Sequence, residues 1–270
     1  MNNFLQRRAC LLIEEARKLA AEGSGREACR RVLATCDFLG DSFDHIHREL
    51  PSLFQLLSDL HDALGESREA ERYQIRAWEL QRCRERQIRR LLAISRLSDG
   101  RLLTASDPRR WPPSVGALFG RIRDDTLLDP APEVLIFGPP GSGKTHLLHS
   151  LGHEAIDRPW PTRLCLGYEL LETLSRARRI LQLHRELLRL DRYRVLLVDE
   201  VDPWSLKPEE SEVFHAALLH RRDRRCTVLA VRTKRCSEAG RIVASLRRTK
   251  VLRSLSSGVV LLGLGGVERW

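Results

Sequence analysis

An eight-residue stretch, 138–145, has the residue types and the spacing of a loop that binds phosphate. It reads GPPGSGKT and fits the Walker A pattern G-x-x-x-x-G-K-[ST]. Its glycines let the backbone approach phosphate closely, and its consecutive N–H groups together form a cradle for an anion. Lys144 is expected to reach the β- and γ-phosphates, and Thr145 to ligate Mg²⁺. The stretch therefore predicts a site for ATP and Mg²⁺.

The flanks of this loop favour the same interpretation. An apolar run at 134–137 is typical of a strand, and the run at 146–156 is compatible with a helix. The N-terminus of that helix adds a partial positive charge at the phosphate. The alternative is a turn rich in glycine and proline that contains Lys-Thr by chance. The predicted nucleotide-binding residues are those of the loop and the first helical turn, namely Gly138, Pro139, Pro140, Gly141, Ser142, Gly143, Lys144, Thr145 and His146.

A second apolar run, at 195–198, ends in two adjacent carboxylates, Asp199 and Glu200. The carboxyl ends of parallel strands form the edge at which ligands bind. Asp199 fits the Walker B role of holding Mg²⁺ through its water shell, and Glu200 is then placed to orient and deprotonate the attacking water. Acids that simply end a strand are the alternative. A full strand and helix separate the two motifs, which predicts that their strands are not immediate neighbours, as in the additional-strand class of P-loop proteins.

Strand and helix patterns alternate from residue 133 onward, which predicts an α/β P-loop NTPase domain at 133–270. A single long helix is expected at 168–190, and another helix at 209–221. The domain is expected to hold a five-stranded parallel sheet. Its predicted strands lie at 134–137, 163–166, 195–198, 227–231 and 259–262.

Residues 4–96 are expected to be helical, because glycine and proline are rare there and lie between periodic runs. Gly65 is followed by Ala70 and Ala77, a spacing that resembles the turn and second helix of a tetratricopeptide repeat. An earlier stretch repeats part of this spacing, with Gly23 followed by Ala28. We therefore predict an all-α helical-hairpin domain at 1–97, which docks a protein partner. A plain helical bundle without a binding role is the alternative. A proline-rich connector is expected at 98–132.

The net charge of +10 favours a polyanionic partner such as DNA. Two arginine-rich segments, 76–110 and 221–253, are the predicted contacts; a solvated surface is the alternative for both, and the second segment could instead supply an arginine to a neighbouring subunit. The seven cysteines include no C-x-x-C pair, so they are expected to be reduced thiols rather than zinc ligands. No apolar run is long enough for a membrane span, and the expected location is the cytoplasm.

The residues that continue the phosphate loop, GKTHLLHSLG at 143–152, resemble those of DnaA-type replication initiators. YELL at 168–171, the run at 192–200 and the pair at 214–215 fit the same core. IstB-like transposition ATPases and DnaC-like helicase loaders share it, and IstB proteins often carry Ser-Glu where 236–238 reads CSE. The resemblance spans 133 to about 265. It implies an AAA+ ATPase that assembles head to tail on DNA, or on a DNA-bound partner, when ATP is present.

The same resemblance implies further site residues. Thr233 stands where the family usually has a polar sensor, Asn or Asp. An arginine from the neighbouring subunit usually completes the site. Arg253 lies one residue from the matching position, and Arg247 and Arg248 are further candidates. The sequence stops shortly after the last predicted strand, so no helical lid is expected, as in IstB-like ATPases.

The function expected from these observations is that of an ATP-binding, ATP-hydrolysing assembly factor. It would act on DNA or on a DNA-bound machine, as helicase loaders and transposition helpers do, and it would turn over slowly without its partner. The rival is a scaffold or interaction protein whose ATPase domain binds nucleotide but is weakly active. A third hypothesis is a signalling NTPase whose repeats sense a ligand.

Overall fold

The computed structural model describes most of the chain, in seven segments. These are residues 2–42, 47–98, 113–123, 133–202, 205–222, 225–232 and 259–263. The chain divides into two compact units, Met1–Arg90 and Leu91–Trp270. Apart from Ser98 and one helix, the connector predicted at 98–132 lies outside the described residues.

The first unit is helical, and its core is apolar. Its helices are α1 (Asn2–Ala21), α2 (Gly25–Ser42), α3 (Leu50–Ala63) and α4 (Ser67–Ser95), the last of which runs on into the second unit. The buried side chains that form the core come from α1, α2 and α3, and Tyr73 and Leu80 of α4 pack against them. Of the helices within the described ranges, none is both long enough and apolar enough to cross a membrane.

Short turns join α1 to α2 and α3 to α4. Each contains a glycine in the left-handed backbone region, with φ of 75° at Gly23 and 77° at Gly65. Ala28 and Ala70, early in the second helix of each pair, are buried. Ser58 donates a hydrogen bond of 2.8 Å to the carbonyl of Ala70, which ties α3 to α4. Both turns lie where the glycine and alanine spacing predicted them, while the likeness to tetratricopeptide repeats stays a prediction.

The second unit contains a parallel sheet with the order β2-β3-β4-β1-β5. Its strands are β1 (Glu133–Gly138), β2 (Thr162–Leu166), β3 (Val195–Val201), β4 (Cys226–Arg232) and β5 (Val259–Gly263). Strand β4 pairs with both β1 and β3. Strand β4 therefore lies between β1, which precedes the phosphate loop, and β3, which carries Asp199. The prediction that the two motif strands are not neighbours is confirmed.

Helices cover both faces of this sheet. They are α5 (Pro113–Arg123), α6 (Lys144–Asp157), α7 (Gly167–Arg179), α8 (Leu183–Leu190) and α9 (Pro208–Arg221). Val134 and Ile136 of β1 belong to the core under α5 and α6, whereas Leu135 between them belongs to the core under α7, α8 and α9. Because both faces are buried, the strands are apolar almost throughout.

The single helix predicted at 168–190 was wrong, because the chain turns between α7 and α8. Leu181 has a φ of 57°, and Gln182 N–H donates a 2.7 Å hydrogen bond to the carbonyl of Ala177. Such a left-handed residue with a backward hydrogen bond ends a helix. The apolar spacing continues through the turn, which is why the sequence pattern did not reveal it.

Arg221 is buried, so its prediction as the first DNA-binding residue of 221–253 was wrong. Its side chain is 1% exposed and donates to Thr227 Oγ1 and to the carbonyls of Tyr193 and Cys226. Burial lowers the pKa of this guanidinium from its ordinary value to about 10, although Asp191 acts in the opposite direction. Arg221 thereby joins the end of α9 to the chain before β3. Most of segment 221–253 lies outside the described residues.

We predict that Arg221→Ala lowers the free energy of unfolding by about 3 kcal/mol, because it removes the donor from several buried acceptors. Urea unfolding of the full chain measures this loss. Arg179→Ala is the control, since Arg179 is exposed and should change stability by less than about 0.5 kcal/mol. Equal stability of the two variants would contradict a structural role for Arg221.

Candidate functional site

The phosphate loop connects the end of β1 to the start of α6. Two of its residues have left-handed backbone, with φ of 77° at Gly141 and 94° at Gly143. Other residue types rarely adopt this conformation, so these two glycines are needed for the path of the loop. Gly143 is also the N-cap of α6 and has no side chain to accept from the first amides of the helix. Those amides are suited to an anionic ligand.

Lys144 lies across the loop that it follows. Its ammonium group donates to the carbonyl of Gly138 at 2.7 Å and to that of Pro139 at 2.8 Å. Ser142 Oγ is 3.5 Å away. Phosphate oxygens would be charged acceptors and would make stronger hydrogen bonds with the ammonium than neutral carbonyls do. The lysine is thus held within reach of the space where the sequence predicts phosphate.

Thr145 and Asp199 meet, although they come from different motifs. Thr145 Oγ1 donates a hydrogen bond of 2.7 Å to Asp199 Oδ2. The other carboxylate oxygen, Asp199 Oδ1, accepts a hydrogen bond of 2.8 Å from the backbone N–H of Glu200. Asp199 is 5% exposed, and a carboxylate so deeply buried requires such donors. The contact links the first turn of α6 to the carboxyl end of β3.

This pair fits Mg²⁺ by the chemistry of its donors. Hydroxyl and carboxylate oxygens are hard ligands of the kind that Mg²⁺ takes, and Mg²⁺ is usually held by one or two protein groups together with waters and phosphates. Within the described segments, no group of three or more His, Cys, Asp or Glu is arranged to hold a metal. Because Mg²⁺ keeps waters and phosphate oxygens among its ligands, an ion at Thr145 and Asp199 would share its coordination with the nucleotide.

Glu200 projects outward from an irregularity in β3. The register between β3 and β4 shifts between Val198 and Val201, and Glu200 has a φ of 56°. A non-glycine residue in this region costs on the order of 1–3 kcal/mol, and such strain clusters at functional sites. Bulges also re-aim side chains next to active sites. The bulge leaves Asp199 buried and Glu200 exposed, so two adjacent carboxylates have different environments.

Gly167, which the sequence analysis missed, supports this bulge. It is the buried first residue of α7. A Cβ atom there would lie 3.2 Å from the carbonyl oxygen of Glu200 and 3.3 Å from that of Asp199. These separations are tighter than most Cβ contacts, so a larger residue would move α7 or the bulge by a few tenths of an ångström. A glycine directly after a strand, at the ligand-binding edge of the sheet, is the signal that could have identified it.

Other predicted site residues cannot be placed. Thr233, Arg253 and the alternatives Arg247 and Arg248 lie outside the described residues. The residue before Thr233, Arg232, ends β4 and is in register with Gly138 of β1. The structure therefore brings together the loop, Lys144, Thr145, Asp199 and Glu200, and their catalytic roles stay predictions.

Comparison with known proteins gives a family match over most of the chain. A family model described as IstB-like ATP binding protein matches residues 73–267. The chain is 28% identical over 182 residues to a protein named as the insertion sequence IS5376 ATP-binding protein of Geobacillus stearothermophilus, and covers 72% of it with 67% of its own length. It is 29% identical over 145 residues to an insertion sequence ATP-binding protein of Sinorhizobium fredii. That match covers 53% of this chain and 49%, about half, of the relative.

Two solved structures are similar in fold. The DnaC helicase loader has a TM-score of 0.49 and 16% identity, over 56% of this chain and 86% of that one. AMPPCP-bound DnaA from Aquifex aeolicus has a TM-score of 0.47 and 17% identity, over 63% of this chain and 51% of that one. The assignment of the chain rests on the family match rather than on these structures.

We predict that Thr145→Ala weakens Mg²⁺-dependent ATP binding by about 10-fold or more, because the hydroxyl ligand is lost. Thr145→Ser keeps the hydroxyl and should bind within about 3-fold of wild type. Titration with a fluorescent ATP analogue, in Mg²⁺ and in EDTA, measures both. If the alanine variant loses the same affinity in EDTA as in Mg²⁺, Thr145 is not a metal ligand.

Proposed function

The chain belongs to the IstB-like ATP binding protein family, in the AAA+ clade of DnaA and DnaC, and from that premise we propose that it is an ATP-hydrolysing assembly factor that acts on DNA or on a DNA-bound machine. The observation that carries the proposal is the hydrogen bond between Thr145 and Asp199, with Glu200 exposed beside it. It joins the two halves of a hydrolytic site that are 54 residues apart in sequence.

Binding of ATP starts at the loop. The backbone N–H groups at the start of α6 donate to the phosphates, and the ammonium of Lys144 exchanges the carbonyls of Gly138 and Pro139 for phosphate oxygens. Thr145 and Asp199 would hold Mg²⁺, Asp199 through the water shell of the ion, and the ion would neutralise charge on the phosphates. Thr145 would then give its hydroxyl oxygen to the ion, and its present hydrogen bond to Asp199 would be replaced.

Hydrolysis depends on Glu200. Its exposed carboxylate accepts a proton from a water molecule, whose oxygen attacks the γ-phosphorus. The bond between the γ-phosphorus and the bridging oxygen breaks, which releases phosphate and ADP. Thr233 is the proposed sensor of the γ-phosphate, and Arg253 the arginine that a neighbouring subunit supplies, with Arg247 and Arg248 as alternatives. Turnover is slow in an isolated subunit, because that arginine comes from a second copy.

The arginine-rich part of α4 is the proposed DNA contact within 76–110. Arg82, Arg86 and Arg90 are exposed. Trp78 is 59% exposed, and the guanidinium of Arg82 lies 4.6 Å from the centre of its ring. Arginines bind phosphates, and an exposed aromatic ring next to a cation offers a stacking surface for bases. The part of 221–253 beyond Arg221 is a second proposed contact.

Protein contacts complete the proposal. The helices of the first unit dock a protein partner, and copies of the chain assemble on DNA when ATP orders the interface between them. Hydrolysis then releases the assembly.

The rival function is an interaction protein in which ATP is a structural ligand. Thr233 favours it, because threonine replaces the Asn or Asp that usually senses the γ-phosphate. On this alternative the site binds nucleotide and the helical unit performs the function.

Turnover separates the two functions. We predict that Glu200→Gln lowers the rate of ATP hydrolysis by about 100-fold or more, because the general base is lost. Its affinity for ATP should stay within about 3-fold of wild type, since Glu200 does not hold the phosphates. Phosphate release measured with DNA present tests this. If wild type hydrolyses ATP no faster than Glu200→Gln while both bind it, the rival function is correct.

A second prediction concerns DNA. The double variant Arg82→Gln/Arg86→Gln should bind duplex DNA about 10-fold more weakly at low salt, with a smaller slope of log affinity against log salt, because it loses phosphate contacts. Fluorescence anisotropy over a salt series, with a non-hydrolysable ATP analogue, measures both quantities.

Arg30→Gln is the matched control, since Arg30 lies on α2 and pairs with Glu27 at 2.9 Å. It should leave DNA affinity unchanged. A double variant that binds DNA as wild type does would contradict the assignment of α4 as a DNA contact.

A further prediction concerns assembly. Lys144→Ala should abolish the ATP dependence of assembly on DNA, as measured by sedimentation.

A further inference from the structure

The residues that end α4 and follow it, 94–98, lie against the helix that begins at the phosphate loop. We call these five residues the α4 extension. All of them belong to the second compact unit. Arg96, directly after the helix, has a φ of 61°, a left-handed backbone conformation that ends α4 and turns the chain.

Polar contacts attach the extension to α6. The backbone N–H of Ser98 donates to His149 Nδ1 at 3.1 Å, and its carbonyl accepts from His153 Nε2 at 3.1 Å. Both backbone groups of one residue are thus bound by two histidines one turn apart on the same helix. His149 is 6% exposed, so the imidazole that accepts this hydrogen bond is itself buried.

The extension also makes an apolar contact with α6, at Gly152, which lies between the two histidines in sequence. Leu97 packs against the core under α6, next to Gly152. A Cβ atom on Gly152 would lie 2.7 Å from Leu97 Cδ1 and 2.9 Å from Leu197 Cδ1, closer than packed carbon atoms approach each other. Gly152 therefore creates the space into which Leu97 fits. This gives a physical reason for two members, His149 and Gly152, of the HLLHSLG stretch that carries the family resemblance.

One hydrogen bond and one ion pair anchor the rest of the extension. Arg163 of β2 donates a hydrogen bond of 2.8 Å to the carbonyl of Ile94, one of the last carbonyls of α4. Arg96 forms a 2.7 Å ion pair with Glu169 of α7. The extension is thus fixed to three elements of the ATPase unit.

The residues that receive the extension share a face of α6 with the proposed metal ligand. His149 and Gly152 follow Thr145 by one and two helical turns. A helix is stiff over this length, so a shift or rotation at Gly152 moves Thr145 relative to Asp199. Loss of that alignment would disturb the Mg²⁺ ligands directly.

We propose that the α4 extension is a positioning element of the ATP site, which holds α6 so that Lys144 and Thr145 reach their ligands. The inference rests on the proposed function, because it concerns the affinity of that same site for ATP. Coupling between two sites is reciprocal. Seating of the extension therefore raises the affinity for ATP, and bound ATP stabilises the seated extension. A partner that binds α4 and unseats the extension releases ATP.

Variants at the apolar contact test the proposal in the full chain. Leu97→Ala and Gly152→Ala should each weaken binding of a fluorescent Mg²⁺–ATP analogue by about 10-fold. Leu97→Met keeps the apolar volume and should bind within about 2-fold of wild type. Both alanine changes disrupt the same contact. The double variant should therefore lose little more ATP affinity than the single variant that binds ATP more weakly. Losses that add in full would contradict the coupling.

Val213→Ala controls for general loss of stability, since Val213 is buried in the core on the other face of the sheet. Its melting temperature without nucleotide should fall about as far as that of Leu97→Ala, with ATP affinity retained. If Val213→Ala loses as much ATP affinity as Leu97→Ala at equal stability, the positioning role is wrong.

Hydrogen exchange gives a readout that stability alone does not. The amides of Leu97 and Ser98 donate to Ser95 Oγ and His149 Nδ1. A non-hydrolysable ATP analogue should slow their exchange by about 10-fold in wild type, and leave it unchanged in Lys144→Ala. Unchanged exchange in a wild type that binds the analogue overturns the inference alone. A wild type that binds no ATP overturns the proposed function as well.

Discussion

The hydrogen bond between Thr145 and Asp199 sets the requirement that the rest of the second unit meets. Strand β4 separates the strand before the phosphate loop from the strand that carries Asp199. Helix α6 must therefore cross β4 for its first turn to meet the carboxylate. Helix α6 packs on β2, β3 and β4. A buried carboxylate without such a donor would be costly. The sheet order, the crossing helix and the buried acid are parts of one arrangement.

Backbone conformation at the site is unusual where chemistry is proposed. Gly141 and Gly143 shape the loop with positive φ, and Glu200 adopts positive φ without being a glycine. Gly167 supports that bulge by allowing α7 to approach its carbonyls, while Leu97 supports the other end of the site through α6. The residues that are proposed to act on the phosphates are thus held in place by neighbouring elements that do not themselves bind phosphate. Such support fixes reactive groups in place at the expense of local strain.

Local patterns in the sequence predicted the parts of the structure that depend on local properties. The Walker motifs, the apolar strands and the inter-helix turns at Gly23 and Gly65 follow from residue type and short-range spacing. The break at Leu181 and the burial of Arg221 did not, because each depends on contacts with residues distant in sequence. The contact of Leu97 with Gly152 was missed for the same reason: 55 residues separate them, and nothing local distinguishes a glycine that makes room for a side chain. The roles of Thr233 and Arg253 stay predictions.

Lys144, Thr145 and Asp199 form the proposed Mg²⁺–ATP site. A crystal structure with Mg²⁺ and a non-hydrolysable ATP analogue is the decisive test of this site. We expect Lys144 to leave the carbonyls of Gly138 and Pro139 for phosphate oxygens, and Thr145 to ligate the metal instead of donating to Asp199. Nucleotide bound in the loop while Lys144 and Thr145 keep their present partners would contradict it.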